Sequence, residues 1–149
     1  VRYDGNKPNH MENIVLNIPH SSIAGIFDKE IGGWPRNAFF VNGPIKNHTD
    51  WYTDMLFSAP SMEKVIPVAF NYSRFVCDVE RLDNDPLEEI GQGIIYTNYG
   101  GFTRSVNDGM KKRLLQIRKD YLSKLSDKIL DNGRTLLIDC HSFNNTDCG

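Results

Sequence analysis

The stretch TLLIDCHSF (135–143) decides the fold class. Thr135 through Ile138 form an unbroken apolar or β-branched run. That is the pattern of a short strand buried on both faces rather than one alternating between core and water. Upstream, Met110, Leu114, Ile117, Tyr121, Leu125 and Ile129 recur every three or four residues, so 107–131 is expected to be one amphipathic helix. Lys111, Lys112, Lys119, Lys124 and Lys128 fall mostly off that stripe, and Asn132-Gly133 is the expected stop. A long helix feeding a short, wholly apolar strand indicates an α/β layer.

NIVLNIPHSS (13–22) repeats the plan at the other end of the chain: an apolar run from Ile14 to Ile18, then Pro19, His20 and Ser21. In open α/β sheets functional groups gather beyond the carboxyl ends of strands, and His20 and His141 both fall there. A single histidine at such an end is ordinarily a neutral, hydrogen-bonded imidazole that closes the core. Two at equivalent ends bring two imidazoles into one crevice. A catalytic zinc takes three ligands from His, Asp or Glu and keeps one position for water. The third ligand has to come from elsewhere; Asp50 in HTDWYTD (48–54) is best placed, Asp54 lies one turn later, and His48 stays open as a choice.

Between these ends, 22–44 is rich in Gly and Pro, with Trp34, Phe39 and Phe40 as packing anchors. NHTDWYTDMLFSA (47–59) reads as a helix, with Trp51, Met55 and Ala59 four apart and Thr49 as cap. KVIPVAFNYS (64–73) reads as a strand and RFVCDVER (74–81) as a second. Turn signals at DNDP, GQG and YGGF surround a short strand, IIYT (94–97). Neither glycine stretch has the spacing of a phosphate-binding loop.

A chain of 149 residues fits one domain, expected over 11–149, with 1–10 as an extension or upstream-derived segment ahead of Met11. A net charge of −2 without a basic block argues against a nucleic-acid partner. No apolar run approaches the roughly 18 residues of a membrane span. The polar start lacks the apolar core of a signal peptide, so a cytoplasmic location is the default expectation. Cys77, Cys140 and Cys148 lack a CxxC spacing and predict neither a disulfide framework nor a cysteine-rich zinc site. Cys140 is expected to be a small buried residue, and the sequons at Asn47, Asn71 and Asn144 carry little meaning without a secretion signal.

Taken in order, IPHSS, HTDWYTDMLF, NYSRFVCDVERLDND, GQGIIYTNYGGFTR and IDCHSF resemble the motif series of the N-formylglutamate amidohydrolase family, over roughly 14–143. The resemblance implies a zinc-dependent amide hydrolase of the carboxypeptidase-like class, a three-layer α/β/α fold with a mixed, largely parallel sheet. It implies His20, Asp50 and His141 as the ligands of one divalent ion, with Asp139 and Asp78 behind them. It implies a small acidic N-formyl or N-acyl amino acid as substrate. Guanidinium groups suit its carboxylates, so Arg74 and Arg81, then Arg104, are the expected contacts, with Ser73 in support.

The wider class takes its carboxylate base from beyond the last metal histidine. Here only SFNNTDCG (142–149) follows, with Asp147 its sole carboxylate. The expectation is therefore a C-terminally shortened member with no assigned catalytic base; Glu80 and Glu88 are equal stand-ins. The alternative expectation is a metal- or acidic-ligand-binding domain without turnover. Completion by homo-oligomerisation is open to either.

Overall fold

A computed structural model describes residues 13–58, 64–131 and 134–143. The expectations for 1–10 and Met11, Ala59, the Asn132-Gly133 stop, Asn144, Asp147 and Cys148 lie outside the described residues. The centre of the fold is β1 (Asn13–Ile18), flanked in parallel by β2 (Val65–Ala69) and β5 (Thr135–Asp139) in the order β2-β1-β5. The register sets Leu16 against Pro67 on one side and Ile138 on the other. One face is covered by α4 (Asp108–Asp131), which starts one residue later than its periodicity predicts because Asn107 caps it, accepting from the Met110 amide at 2.8 Å. Its stripe holds: Met110, Leu114, Tyr121 and Leu125 are buried against Val15 and Val68. The opposite face packs Leu16, Ile18 and Cys140 with Phe57.

This is an α/β fold with a parallel sheet. The described strands include no antiparallel neighbour in that sheet, and the described helices form no full layer on the Phe57 side. No described helix is long and apolar enough to cross a membrane.

Several local expectations are corrected. The helix expected over 47–59 is two short ones, α2 (Lys46–His48) and α3 (Thr53–Leu56), the first continuing from α1 (Ala38–Phe40) through a π-helical turn, Val41–Ile45. The break has a cause: the Asp50 amide donates to the His20 carbonyl at 3.0 Å, tying this segment to the end of β1. Thr49 closes α2 instead of opening a helix, its hydroxyl donating to the Ile45 carbonyl at 2.7 Å. Tyr52 then turns the chain with φ 64°, a left-handed conformation unusual for a side chain of that size. Trp51 and Met55 are consequently exposed, and so is Phe39, whereas Trp34 and Phe40 do stack in the core.

The segment 74–81 is not a strand. Phe75, Val76, Cys77 and Val79 are buried through turns, with the Ser73 hydroxyl accepting from the Phe75 amide at 3.2 Å. Apolar content alone did not distinguish a buried turn from a buried strand. IIYT (94–97) is irregular too. The hairpin lies one step on, β3 (Asn98–Tyr99) with β4 (Phe102–Thr103), around Gly100-Gly101 with φ of 57° and 80°. Two successive positive φ values are what a tight primed hairpin turn requires.

Strand β5 forms where expected, but it is not buried on both faces. Among the described strands it lies at the edge of the sheet, and Leu136, Leu137 and Ile138 are 47%, 42% and 39% exposed.

Candidate metal centre

Because β1 and β5 are adjacent and parallel, with Asn17 beside Asp139, the residues that follow each strand emerge together at its carboxyl edge. His20 and His141 meet there with ring centroids 5.5 Å apart. The hydrogen bond from the Asp50 amide to His20 brings the α2–α3 break alongside, and the buried turn 74–81 brings Asp78 and Glu80.

Each imidazole has one nitrogen held by a carboxylate. His20 Nε2 lies 3.0 Å from Asp78 Oδ1, and His141 Nδ1 lies 2.8 Å from Asp50 Oδ2. An ionised carboxylate only accepts, so both of these nitrogens carry the proton. The other two nitrogens face Glu80: His20 Nδ1 at 3.6 Å from Oε2 and His141 Nε2 at 3.1 Å from Oε1. One ligand atom each from His20, Glu80 and His141 lies within 4.8 Å of the others. Two imidazoles and a carboxylate converging, each imidazole oriented from behind by a second carboxylate, is the donor set that zinc favours.

The electrostatics agree with this arrangement. Burial would push the Asp78 carboxyl up, yet the hydrogen bond with His20 and the charge of Arg74 together hold it well below the usual carboxylate range. Burial would lower the His141 pKa, but the Asp50 and Glu80 carboxylates raise it. A proton on Nε2 is what the metal-free ring needs in order to face Glu80, and a cation there would take that proton's place. Asp78 is fully buried and also accepts from Arg74 at 2.7 Å and the Tyr96 hydroxyl at 3.0 Å. Asp78→Ala is expected to lower the stability of the metal-free protein by about 3–5 kcal/mol in urea denaturation, since it leaves Arg74 without its buried partner. An unchanged midpoint would show that Arg74 is held by something else.

These groups open on a cavity of about 220 Å³, lined among others by His20, Asp50, Arg74, Glu80, His141 and Phe143. Of the expected substrate contacts, only Arg74 is at its wall. Its Nε is buried with no hydrogen-bond partner among the described residues. Arg81 does not line the cavity; it lies 3.8 Å from Asp78 and 3.6 Å from Asp85, with the Tyr96 hydroxyl at 3.4 Å. Arg104 is in the core, donating to the carbonyls of Ile31, Gly32, Val76 and Tyr96 with its guanidinium over Trp34. Ser73 is buried in its own turn. Asp139 accepts from Asn17 Nδ2 at 2.8 Å, a link to β1 and not to the His141 ring.

His48 lines the cavity wall, its Nε2 2.6 Å from the Tyr99 hydroxyl, while Asp54 is exposed on α3. The two candidate bases part company: Glu80 is between the histidines, and Glu88 packs over Gly93. The sequence offered Glu80 only as a stand-in base, not as a group set between the two histidines, and Tyr96 as a partner of Asp78 was not read from it. The available signal was the spacing Asp78-x-Glu80 inside an apolar run, two carboxylates that a buried segment does not carry without partners.

No curated protein and no solved structure matches the chain. The family model of N-formylglutamate amidohydrolase matches residues 13–148, so the convergent histidines and carboxylates lie within a match that spans nearly the whole sequence. The chain belongs to the N-formylglutamate amidohydrolase family.

Proposed function

We propose that the chain hydrolyses the formyl amide of N-formyl-L-glutamate or a closely related N-acyl amino acid, using one divalent ion, zinc by the chemistry of its donors, held by His20, Glu80 and His141. The observation that carries this reading is the convergence of those three side chains in a chain of this family. When bound, such an ion acidifies a water toward neutral pH and polarises the carbonyl that the water attacks. Asp78 and Asp50 fix the tautomers of His20 and His141, so that the unprotonated nitrogens point inward. Arg74, at the cavity wall, takes a substrate carboxylate and aligns the formyl group with the histidines. Arg81 stands behind it as a second positive charge, held by Asp78 and Asp85. A cavity of about 220 Å³ suits an amino acid with a one-carbon acyl group better than a peptide. Water adds across the C–N bond, giving formate and the free amine. A cytoplasmic location is in keeping with such a substrate.

The test is formate release from N-formylglutamate by protein of measured zinc content. Formate and glutamate are expected in equal amounts, lost on chelation and restored by zinc. Full zinc occupancy without formate from any N-formyl amino acid would sink the hydrolase and leave a binding domain.

A further inference from the structure

Hydrophobic alternation ordinarily fixes the register of a strand, because a slip of one residue turns apolar side chains to the wrong face. β1 and β5 lack that signal where they pair. Ile14, Val15 and Leu16 stand against Leu136, Leu137 and Ile138, so a slip there exchanges apolar for apolar. The same slip would carry His141 about 3.3 Å along its strand. A polar row removes the ambiguity. Val68, Asn17 and Asp139 are in register across the three strands. Asn17 is buried, and its Nδ2 donates to Asp139 Oδ1 at 2.8 Å. A carboxylate only accepts, so the amide has one orientation and its Oδ1 is turned to α4. There the buried Tyr121 hydroxyl donates to it and lies 3.1 Å from the Val68 carbonyl. The Cys140 amide closes the row, donating to the Asn17 carbonyl at 2.8 Å.

We propose that Asn17 and Tyr121 are positioning residues of the metal centre, setting the register of β5 on β1 and with it the approach of His141 to His20. This rests on the reading of His20, Glu80 and His141 as ligands of one ion. Neither Asn17 nor Tyr121 lines the cavity. Their effect passes through the backbone: His20 is three residues beyond Asn17, and His141 two beyond Asp139. Over so short a connection an error in the row becomes an error in the ring positions, whose centroids now stand 5.5 Å apart. Net stability does not call for the pair. Replacing both partners of a buried hydrogen bond by apolar groups of similar shape is commonly close to neutral. The best-attested use of a buried polar side chain is to select one register among several. The bridge between α4 and the row serves the geometry of the site in that way.

Tyr121→Phe, alone and combined with Asn17→Leu, tests this. Both variants are expected to keep a cooperative urea transition while the zinc Kd rises at least about tenfold. With cobalt in place of zinc, the visible bands are expected to weaken as the ligands leave tetrahedral geometry. In the metal-free variants the Cys140 amide is expected to exchange faster than in wild type. Leu125→Ala separates geometry from stability, since it opens a cavity on the same helix stripe. It is expected to lower the urea midpoint and leave the cobalt spectrum unchanged. A folded Tyr121→Phe variant with wild-type zinc affinity and cobalt spectrum overturns the proposal. So does a Leu125→Ala spectrum altered to the same degree, or failure of both Tyr121 variants to fold, because the pair is then merely structural. None of these readouts needs turnover. Wild-type protein that binds zinc without releasing formate sinks the hydrolase reading and leaves this role intact, whereas wild-type protein that takes up no metal overturns both.

Discussion

Glu80→Gln is expected to yield folded protein with almost no bound zinc, whereas Asp50→Asn retains zinc with an affinity reduced about 10–100-fold. The difference rests on which side of each imidazole the two carboxylates occupy. Asp50 holds His141 Nδ1 at 2.8 Å and stands 3.9 Å from His20 Nδ1, behind one ring and off the other. Among the described residues, Glu80 alone reaches the inward nitrogens of both rings. Replacing its carboxylate with an amide removes the anionic oxygen donor that faces the inward nitrogens of both rings, and Asp50, engaged with His141 Nδ1, is left 3.9 Å from His20 Nδ1. In the Asp50 variant the imidazole still coordinates, but its orientation and basicity are less well supported. Metal analysis after dialysis, followed by competition with a chromogenic chelator, separates the two cases. The reverse result, Asp50→Asn stripped and Glu80→Gln loaded, would give Asp50 the ligand position that its spacing from His20 suggests.

The same pair of residues shows how far the sequence was legible. His20 and His141 were readable because each follows an apolar run, and two such runs in an α/β chain pair in parallel and end on the same side. The structure adds that the strands are neighbours, which brings the rings to 5.5 Å. Helix α4 was equally plain, since its stripe needs only one periodicity and one capping asparagine. Glu80 was hard to place because its position depends on a turn. A strand over 74–81 would have put Asp78 and Glu80 on one face of a sheet, not wrapped around His20 from two sides. The break at Asp50 was hidden for a related reason: Trp51 and Met55 mimic a helical stripe, while a single long-range hydrogen bond to His20 sets the backbone. The exposure of β5 was likewise beyond local pattern. An apolar run reports what a strand is able to bury, and its neighbours decide what it does bury.

Arg104→Met is expected to have the largest effect on stability of any single substitution outside the candidate site. The guanidinium is buried, and its ionisation is pulled down to about 10, because burial removes its water and no carboxylate among the described residues replaces it. Four backbone carbonyls, from Ile31, Gly32, Val76 and Tyr96, satisfy it instead, and they come from three separate loop segments. Methionine approximates the stem and its contact with Trp34 but supplies no donor, so these acceptors lose their partner together. Each one that water does not reach costs about 1–3 kcal/mol. A domain of this size has only about 5–15 kcal/mol in hand. Two stranded carbonyls are therefore enough to remove much of that margin, and the loops at risk include the one that carries Asp78 and Glu80. Urea denaturation of the metal-free protein is expected to show a midpoint far below wild type, or no cooperative transition. Arg104→Lys should recover only part of the loss, since a point charge on a flexible stem does not reproduce a fork that reaches three loops. A variant with the wild-type midpoint and a raised KM for N-formylglutamate would instead make Arg104 a substrate contact, as its position after the Gly-Gly turn first suggests.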